Sequence, residues 1–366
     1  MCEDQVVVLD IGSSSVKAGL SADDIPEIVF PTVCGKPKFH RQNSEIKGNY
    51  VGSAAVSNRD ILSLKYPVKD GIVQNTDDFQ KLLEYAFHEK LKISPEDHPV
   101  ILSETPCTPR QIREKCAEVM FESHYIPSLY IANQAVLSLI AAGRTTGLVL
   151  MAGEDVTMSV PVYQHTALNH GIFRADVAGS QLTSYLEHLL KMRDIAMPQL
   201  DEIRQIKEKL CYVALDYDEE LCLDTTDLVE RHSGQNGICV TMGEERFRCP
   251  ELFFQPSLHS LRSPGVHEAL NSSVLKCDQE LEDDFYSNIV LSGGSTMFPD
   301  FSHRLRDELE AIEPEKDIKV YAPPMRRYAS WIGGAIMAGF SHFPGMCVTK
   351  SEYDEAGASI VQRKCF

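Results

Sequence analysis

Val6-Val-Val-Leu-Asp-Ile-Gly-Ser-Ser-Ser-Val-Lys-Ala-Gly-Leu20 decides the fold. Its β-branched run Val6-Val7-Val8-Leu9 stops at Asp10 and turns at Gly12-Ser13. Val16, Ala18 and Leu20 then alternate with Lys17 and Gly19, the period-two pattern of a returning strand. A second unit of the same design follows: Leu148-Val149-Leu150, then Ala152-Gly153-Glu154-Asp155, then Val156, Ser159 and Val160. It echoes the first 141 positions on, Gly12 against Gly153. This faint duplication predicts two similar lobes, each with a strand-loop-strand hairpin facing a common cleft. A third glycine turn, Ser292-Gly293-Gly294-Ser295, follows Ile289-Val290-Leu291 and precedes a helix expected over 300–312. Exposed backbone N–H groups and a helix N-terminus favour anions, so this unit can seat a phosphate or nucleoside. Each turn alone reads as a structural hairpin; together they point to a nucleotide-handling ancestry.

Outward from these turns, strands and helices alternate along all 366 residues, which predicts an α/β class. That length implies two domains or one large two-lobed fold. Phe79, Leu82, Leu83 and Ala86 share one helical face. Thr108-Pro109-Arg110-Gln111 reads as a capping box with proline at the first helical position. A helix from about Asn133 is stopped by Gly143. Lys207-Glu208-Lys209 reads as a solvated helical face. The segment 36–49, with Lys36, Lys38, Arg41 and Lys47, reads as an exposed loop, and 216–230 as an acidic surface excursion.

Composition bounds the partners. Lys and Arg number 35 against 53 Asp and Glu, a net charge of −18, which argues against nucleic acid and anionic membranes. No apolar run approaches a membrane span. Met1-Cys-Glu-Asp-Gln5 lacks a secretory signal's basic and apolar regions. The 11 cysteines never occur as Cys-x-x-Cys, so reduced thiols in cytosol or nucleus are expected, with Cys116 and Cys211 in the core. There is no P-loop, no G-x-G-x-x-G, no H-E-x-x-H, no zinc spacing and no G-x-S-x-G elbow. His40, His165 and His170 read as surface or supporting residues.

Longer stretches carry a resemblance. Gly143-Arg-Thr-Thr-Gly-Leu-Val-Leu150, Ile206-Lys-Glu-Lys-Leu-Cys-Tyr-Val-Ala-Leu215, Glu245-Arg-Phe-Arg-Cys-Pro250, Leu291-Ser-Gly-Gly-Ser-Thr-Met297, Trp331-Ile-Gly-Gly334, Glu352-Tyr-Asp-Glu-Ala-Gly357 and Ile360-Val-Gln-Arg-Lys-Cys-Phe366 strongly resemble actin. The likeness runs the full chain. It implies the two-lobed actin-type fold shared with hexokinases and 70-kDa chaperones, with four subdomains around a nucleotide cleft. Subdomain 1 would comprise 1–32, 67–141 and 329–366; subdomain 2, 33–66; subdomain 3, 142–177 and 262–328; subdomain 4, 178–261. ATP or ADP with Mg or Ca is the implied cofactor. Asp10 would face the cation. Gly12, Ser13, Ser14 and Lys17 from the first loop, Gly153 and Thr157 from the second, and Gly179 would meet the nucleotide. Lys207 and Glu208 would reach the adenosine. Gly293, Gly294 and Phe298 would line its base and α-phosphate side, with Arg327 in place of a lysine. Gln134 would help orient the attacking water. Ile140, Gly143, Ile332, Ile336, Met337, Phe340 and Met346 would form the barbed-end groove, a docking site for actin-binding proteins; other actin-family subunits are further partners. The implied setting is the cytoskeleton of the cytoplasm, with the nucleus as the alternative.

The chain departs from that family where the chemistry lies. The second-loop aspartate is Met151 and the second-loop histidine is Met158. A thioether gives a hard cation no oxygen. Gln134 is then expected to idle, with hydrolysis very slow or absent, because positioning and electrostatics supply nearly all catalysis in phosphoryl transfer. A family glycine is Asp155; facing a phosphate at ~5 Å in a dielectric of ~20, it would repel by about 3 kcal/mol, unless the loop rearranges. Glu154 is a methylene longer than the family's aspartate, Ser14 replaces a glycine, and Asp70 a histidine. The loop Phe39-His-Arg-Gln-Asn-Ser-Glu-Ile-Lys-Gly48 is polar where actins carry an apolar tip, and His259 and Arg262 charge the inter-strand plug. His342 and Cys347 change the groove rim. The expectation is a structural, partner-binding protein with reduced self-polymerisation; the rival is a filament-forming ATPase.

Overall fold

The computed structural model describes residues 5–38, 50–193, 199–223, 228–233 and 239–365. Most of the loop expected over 36–49 lies outside the described residues, as does His40. The chain packs as two compact units. One comprises Met1–Thr145, Gln164–Ala167 and Tyr328–Phe366; the other Thr146–Tyr163 and Leu168–Arg327. Among the described residues, no helix is long and apolar enough to cross a membrane.

The first unit is built on a six-stranded sheet in the order Val348–Thr349, Ser128–Asn133, Val100–Glu104, Val7–Ile11, Ser15–Leu20, Ile28–Pro31. Strand Val7–Ile11 is buried throughout and runs parallel to Val100–Glu104. It returns antiparallel as Ser15–Leu20, the hairpin expected from the alternation. Helices Gln134–Ala141 and Ala329–Ala338 pack together so closely that a Cβ on Gly333 would stand 1.8 Å from the Leu137 carbonyl oxygen. Trp331 is wholly buried beside them and donates its indole N–H to the Val8 carbonyl at 3.0 Å.

The second unit repeats the theme. Strands Thr157–Tyr163, Gly147–Ala152, Ile289–Ser292 and Val320–Tyr321 lie side by side, with Phe173–Ala175 on the far side of Thr157–Tyr163. Gly147–Ala152 and Thr157–Tyr163 form the second hairpin, and Ile289–Ser292 runs parallel beside it. The core gathers Leu148, Leu150, Leu182, Phe253, Phe285 and Leu291 from strands and helices alike.

Phe79, Leu82, Leu83 and Ala86 are all buried, on helix Thr76–Glu84 and the π-helical segment Tyr85–Leu91 that continues it. The Asn133 side chain caps Gln134–Ala141 by accepting from the Ala135 N–H at 2.9 Å, and Gly143 ends that stretch at φ 68°. Helix Phe301–Ile312 stands where expected. Cys116 and Cys211 are core residues. The capping box at Thr108 does not form. Pro109 is extended and occupies the cap position itself, the helix begins at Arg110, and the Thr108 hydroxyl donates back to the Thr105 carbonyl at 2.7 Å. A residue before proline is pushed away from helical backbone, which turns Thr108 outward from the helix it was expected to cap.

Candidate nucleotide site

Asp10 is the next-to-last residue of the first strand of the first hairpin and is almost wholly buried. Directly across the ladder stands Lys17, whose Nζ donates to Asp10 Oδ2 at 2.9 Å. Oδ1 accepts from Ser103 Oγ at 2.6 Å and from Gln134 Nε2 at 2.9 Å. Burial alone would push this carboxyl up; the Lys17 charge and the Ser103, Lys17 and Gln134 hydrogen bonds outweigh it and hold the pKa below the usual aspartate value. Gln134 is held in turn: its Nε2 also donates to Ser103 Oγ at 3.2 Å, and its Oε1 accepts from Thr105 Oγ1 at 3.4 Å. The turn itself closes through the Gly12 N–H to the Ser15 carbonyl, and Thr32 Oγ1 donates to the Gly12 carbonyl at 2.7 Å. Ser13 Oγ accepts from the Gly71 N–H at 3.1 Å. Ser103, Thr105 and Thr32 went unnoticed in the sequence. They lie far from Asp10 in the chain, and no periodicity announces a hydroxyl at a strand end.

Beneath this cluster is a cavity of about 30 Å³, room for one water, lined in part by Ser103, Glu104, Arg113 and Cys116. Arg113 pairs there with Glu104, its Nε at 3.0 Å from Oε2.

The second hairpin has the same turn and different contents. Gly153 N–H donates to the Val156 carbonyl at 2.8 Å, as Gly12 does to Ser15. The residues opposed across the ladder at the equivalent place are Met151 and Met158. The turn is docked on helix Gly179–Met192: Gly179 N–H donates to the Gly153 carbonyl, Ser180 N–H to the Glu154 carbonyl, and Ser295 Oγ to the Gly153 carbonyl at 2.7 Å. Glu154 is paired with Arg204 at 2.7 Å. Lys207 is not on a solvated face. It is 3% exposed, with Nζ donating to the Gly179 carbonyl at 2.6 Å and to Thr183 Oγ1 at 2.8 Å, while Glu208 and Lys209 face solvent. A helix pattern shows alternating charges but not which of them lies inward.

Gly293 takes φ 95°, and a Cβ there would stand 2.2 Å from the Ala152 carbonyl oxygen, so only glycine lets this turn lie against the second hairpin. Gly294 has open space around it and Phe298 is buried. Arg327 is exposed; the neighbouring Arg326 is the bound guanidinium, donating to the Thr296 carbonyl at 2.9 Å. The Thr157 hydroxyl is buried and has no partner among the described residues, an unmet capacity that a ligand or water can satisfy.

These features suit a nucleotide: a glycine-rich turn with an open flank at Gly294, a buried Lys207 and an unpaired Thr157 hydroxyl. They do not suit a tightly held hard cation. In the first unit Asp10 already accepts three hydrogen bonds, and in the second the equivalent hairpin position is the thioether Met151. Among the described residues no group of three or more His, Cys, Asp or Glu is placed to hold a metal.

A duplicated α/β unit with a glycine-turned hairpin in each copy defines a protein of the two-lobed actin-type superfold. The family model described as Actin matches residues 1–200 and 197–366, and the chain belongs to the actin family. That family binds nucleotide with a divalent cation.

Proposed function

We propose that this chain is a structural, partner-binding member of the actin family that holds a nucleotide and hydrolyses it very slowly or not at all. The observation that carries the reading is the cross-strand pair Met151 and Met158, which stands where the family resemblance implies an aspartate and a histidine. Neither thioether donates a proton, accepts strongly from water or carries charge. Asp10 and Gln134 are hydrogen-bonded to each other in the first unit, while the second unit's hairpin carries no charged or protic pair at the equivalent place. The surviving Lys17, Lys207 and glycine turns support retention of ATP or ADP with a relaxed dependence on Mg or Ca. The subdomain limits follow the family.

Partner binding rests on the first unit. Ile336 is 42% exposed, with Ile332 and Phe340 half-buried nearby in sequence and Ile140 and Met337 in the core. Such a row accepts the apolar anchors of an amphipathic helix from an actin-binding protein. His342 stacks on Phe340 with ring centres 5.5 Å apart, which adds a polar tip to the rim. A cytoskeletal place in the cytoplasm, or in the nucleus, fits that role.

The test is a sedimentation assay with labelled ATP. The purified chain is expected to stay in the supernatant and to retain intact triphosphate. A pellet of filaments whose growth tracks phosphate release would replace this reading by that of a filament-forming ATPase.

A further inference from the structure

The rim residue Cys347 has a neighbour that gives it a chemistry of its own. It directly precedes the edge strand Val348–Thr349, which pairs antiparallel with Ser128–Asn133, Val348 opposite Leu129. Continuing that register by one step sets Cys347 opposite Tyr130. The next residue, Ile131, donates its backbone N–H to the Cys365 sulfur at 3.4 Å. Cys365 thus caps the sheet edge at the point where the short edge strand gives out, beside Cys347. A second contact ties the same two places together: Lys364 Nζ donates to the Cys347 carbonyl at 2.7 Å. Both sulfurs are buried, Cys347 at 2% and Cys365 at 0% exposure. Burial pushes the Cys347 thiol up and Cys365 adds to that push, and both cysteines act on Tyr130.

We propose that Cys347 and Cys365 form a reversible disulfide that fastens the last helix, Val361–Lys364, to the sheet edge beside the groove. The oxidant is a small-molecule disulfide such as oxidised glutathione. One cysteine, as thiolate, attacks a glutathione sulfur; the S–S bond of the oxidant breaks and one glutathione leaves as thiol. The second cysteine, having given up its proton to solvent, attacks the protein sulfur of the mixed disulfide and releases the second glutathione. Two protein thiols are oxidised and one glutathione disulfide is reduced to two thiols. Burial slows the first attack, so oxidation proceeds through opening of the short terminal helix, and the product is shielded from casual reduction.

The site reaches further than the rim. The Cys365 carbonyl accepts from Arg113 Nη1 at 2.8 Å, and Arg113 pairs with Glu104, next to the Ser103 that holds Asp10. Fastening Cys365 therefore fixes one end of a chain of contacts whose other end is the first hairpin. This inference is independent of whether nucleotide is hydrolysed.

The experiment is equilibration of the full chain in buffers of graded oxidised-to-reduced glutathione ratio, quenched with acid and followed by mass spectrometry without reduction. The expected product is about 2 Da lighter than the reduced chain, one disulfide, with a peptide linking positions 347 and 365. C347S and C365S are each expected to abolish the linked peptide and leave the remaining cysteine as thiol or glutathione adduct. Persistence of both residues as free thiols while exposed Cys107 and Cys222 oxidise would overturn the proposal. So would stable glutathione adducts on both residues in the unmutated chain, or linkage of either to a different cysteine.

Discussion

The two hairpins share a turn and differ in what holds them. In the first, the pair facing across the ladder one step before its last rung is Asp10 and Lys17, an ion pair buttressed by Ser103 and Gln134. In the second, the corresponding pair is Met151 and Met158, and stability comes from backbone contacts to Gly179, Ser180 and the close approach of Gly293. Turn geometry has been kept in both copies and chemistry in one. Backbone closure by a glycine turn needs only hydrogen bonds that any sequence with the right φ/ψ can make. Phosphoryl chemistry needs particular side chains at particular places, and those can vanish without disturbing the fold.

The largest effect is expected from breaking the first hairpin. Asp10→Ala removes the partner of a largely buried lysine and leaves Ser103 and Gln134 unmatched, a loss of about 3–5 kcal/mol in urea unfolding. Met151→Ala, at the equivalent but half-exposed place, should lower stability by only about 1–2 kcal/mol. Equal losses would erase the contrast between the hairpins. Gly293→Ala sharpens it from the other side. The added methyl meets the Ala152 carbonyl and the residue is held at positive φ, so a loss of about 2–3 kcal/mol is expected, without change at Asp10.

The smallest effect separates the hairpin from the rest of its unit by pH. Asp10 has a lowered folded pKa, so its contribution holds above the unfolded value of 3.8 and fades only as pH falls below it. His124 acts in the same direction but in a higher pH window. Burial drives its pKa down from 6.5 to about 4; Glu84 opposes this and His88 assists it, Phe87 packs against the ring, and the Nε2 atom has no partner among the described residues. Its neutral form is the stabilised one. That stability is complete above pH 6.5 and declines as pH falls towards 4, because the unfolded chain takes up the proton first. His267 in the second unit works in the same direction. Unfolding free energies from urea titrations at pH 7 and pH 5 should differ by on the order of 1–2 kcal/mol, and His124→Gln should shrink that difference. An unchanged difference in the variant would assign the acid sensitivity elsewhere.

Much of this was legible in the sequence, for reasons that are local. The alternation around Gly12, the apolar run into Ser292, the Asn133 cap and the Gly143 stop are patterns of neighbouring residues, and each has its structural counterpart. The missed features are contacts across long stretches of chain. Ser103 on the neighbouring strand and Thr105 just past its end reach Asp10 and Gln134, and Lys207 turns inward because Gly179 and Thr183 offer it acceptors. Met151 and Met158 were each visible as departures, but their direct opposition emerged only from the ladder. The Thr108 reading failed because the restriction that proline imposes on its predecessor overrode the capping pattern.

The most direct measurement is single-turnover phosphate release from ATP by the natural chain and by a Met151→Asp, Met158→His double variant, with conventional actin as reference. The account predicts release from the natural chain at least about a hundredfold slower than from actin, a range that proton transfer and positioning groups commonly supply, and a marked gain in the double variant. Release from the natural chain at the rate of conventional actin would contradict it.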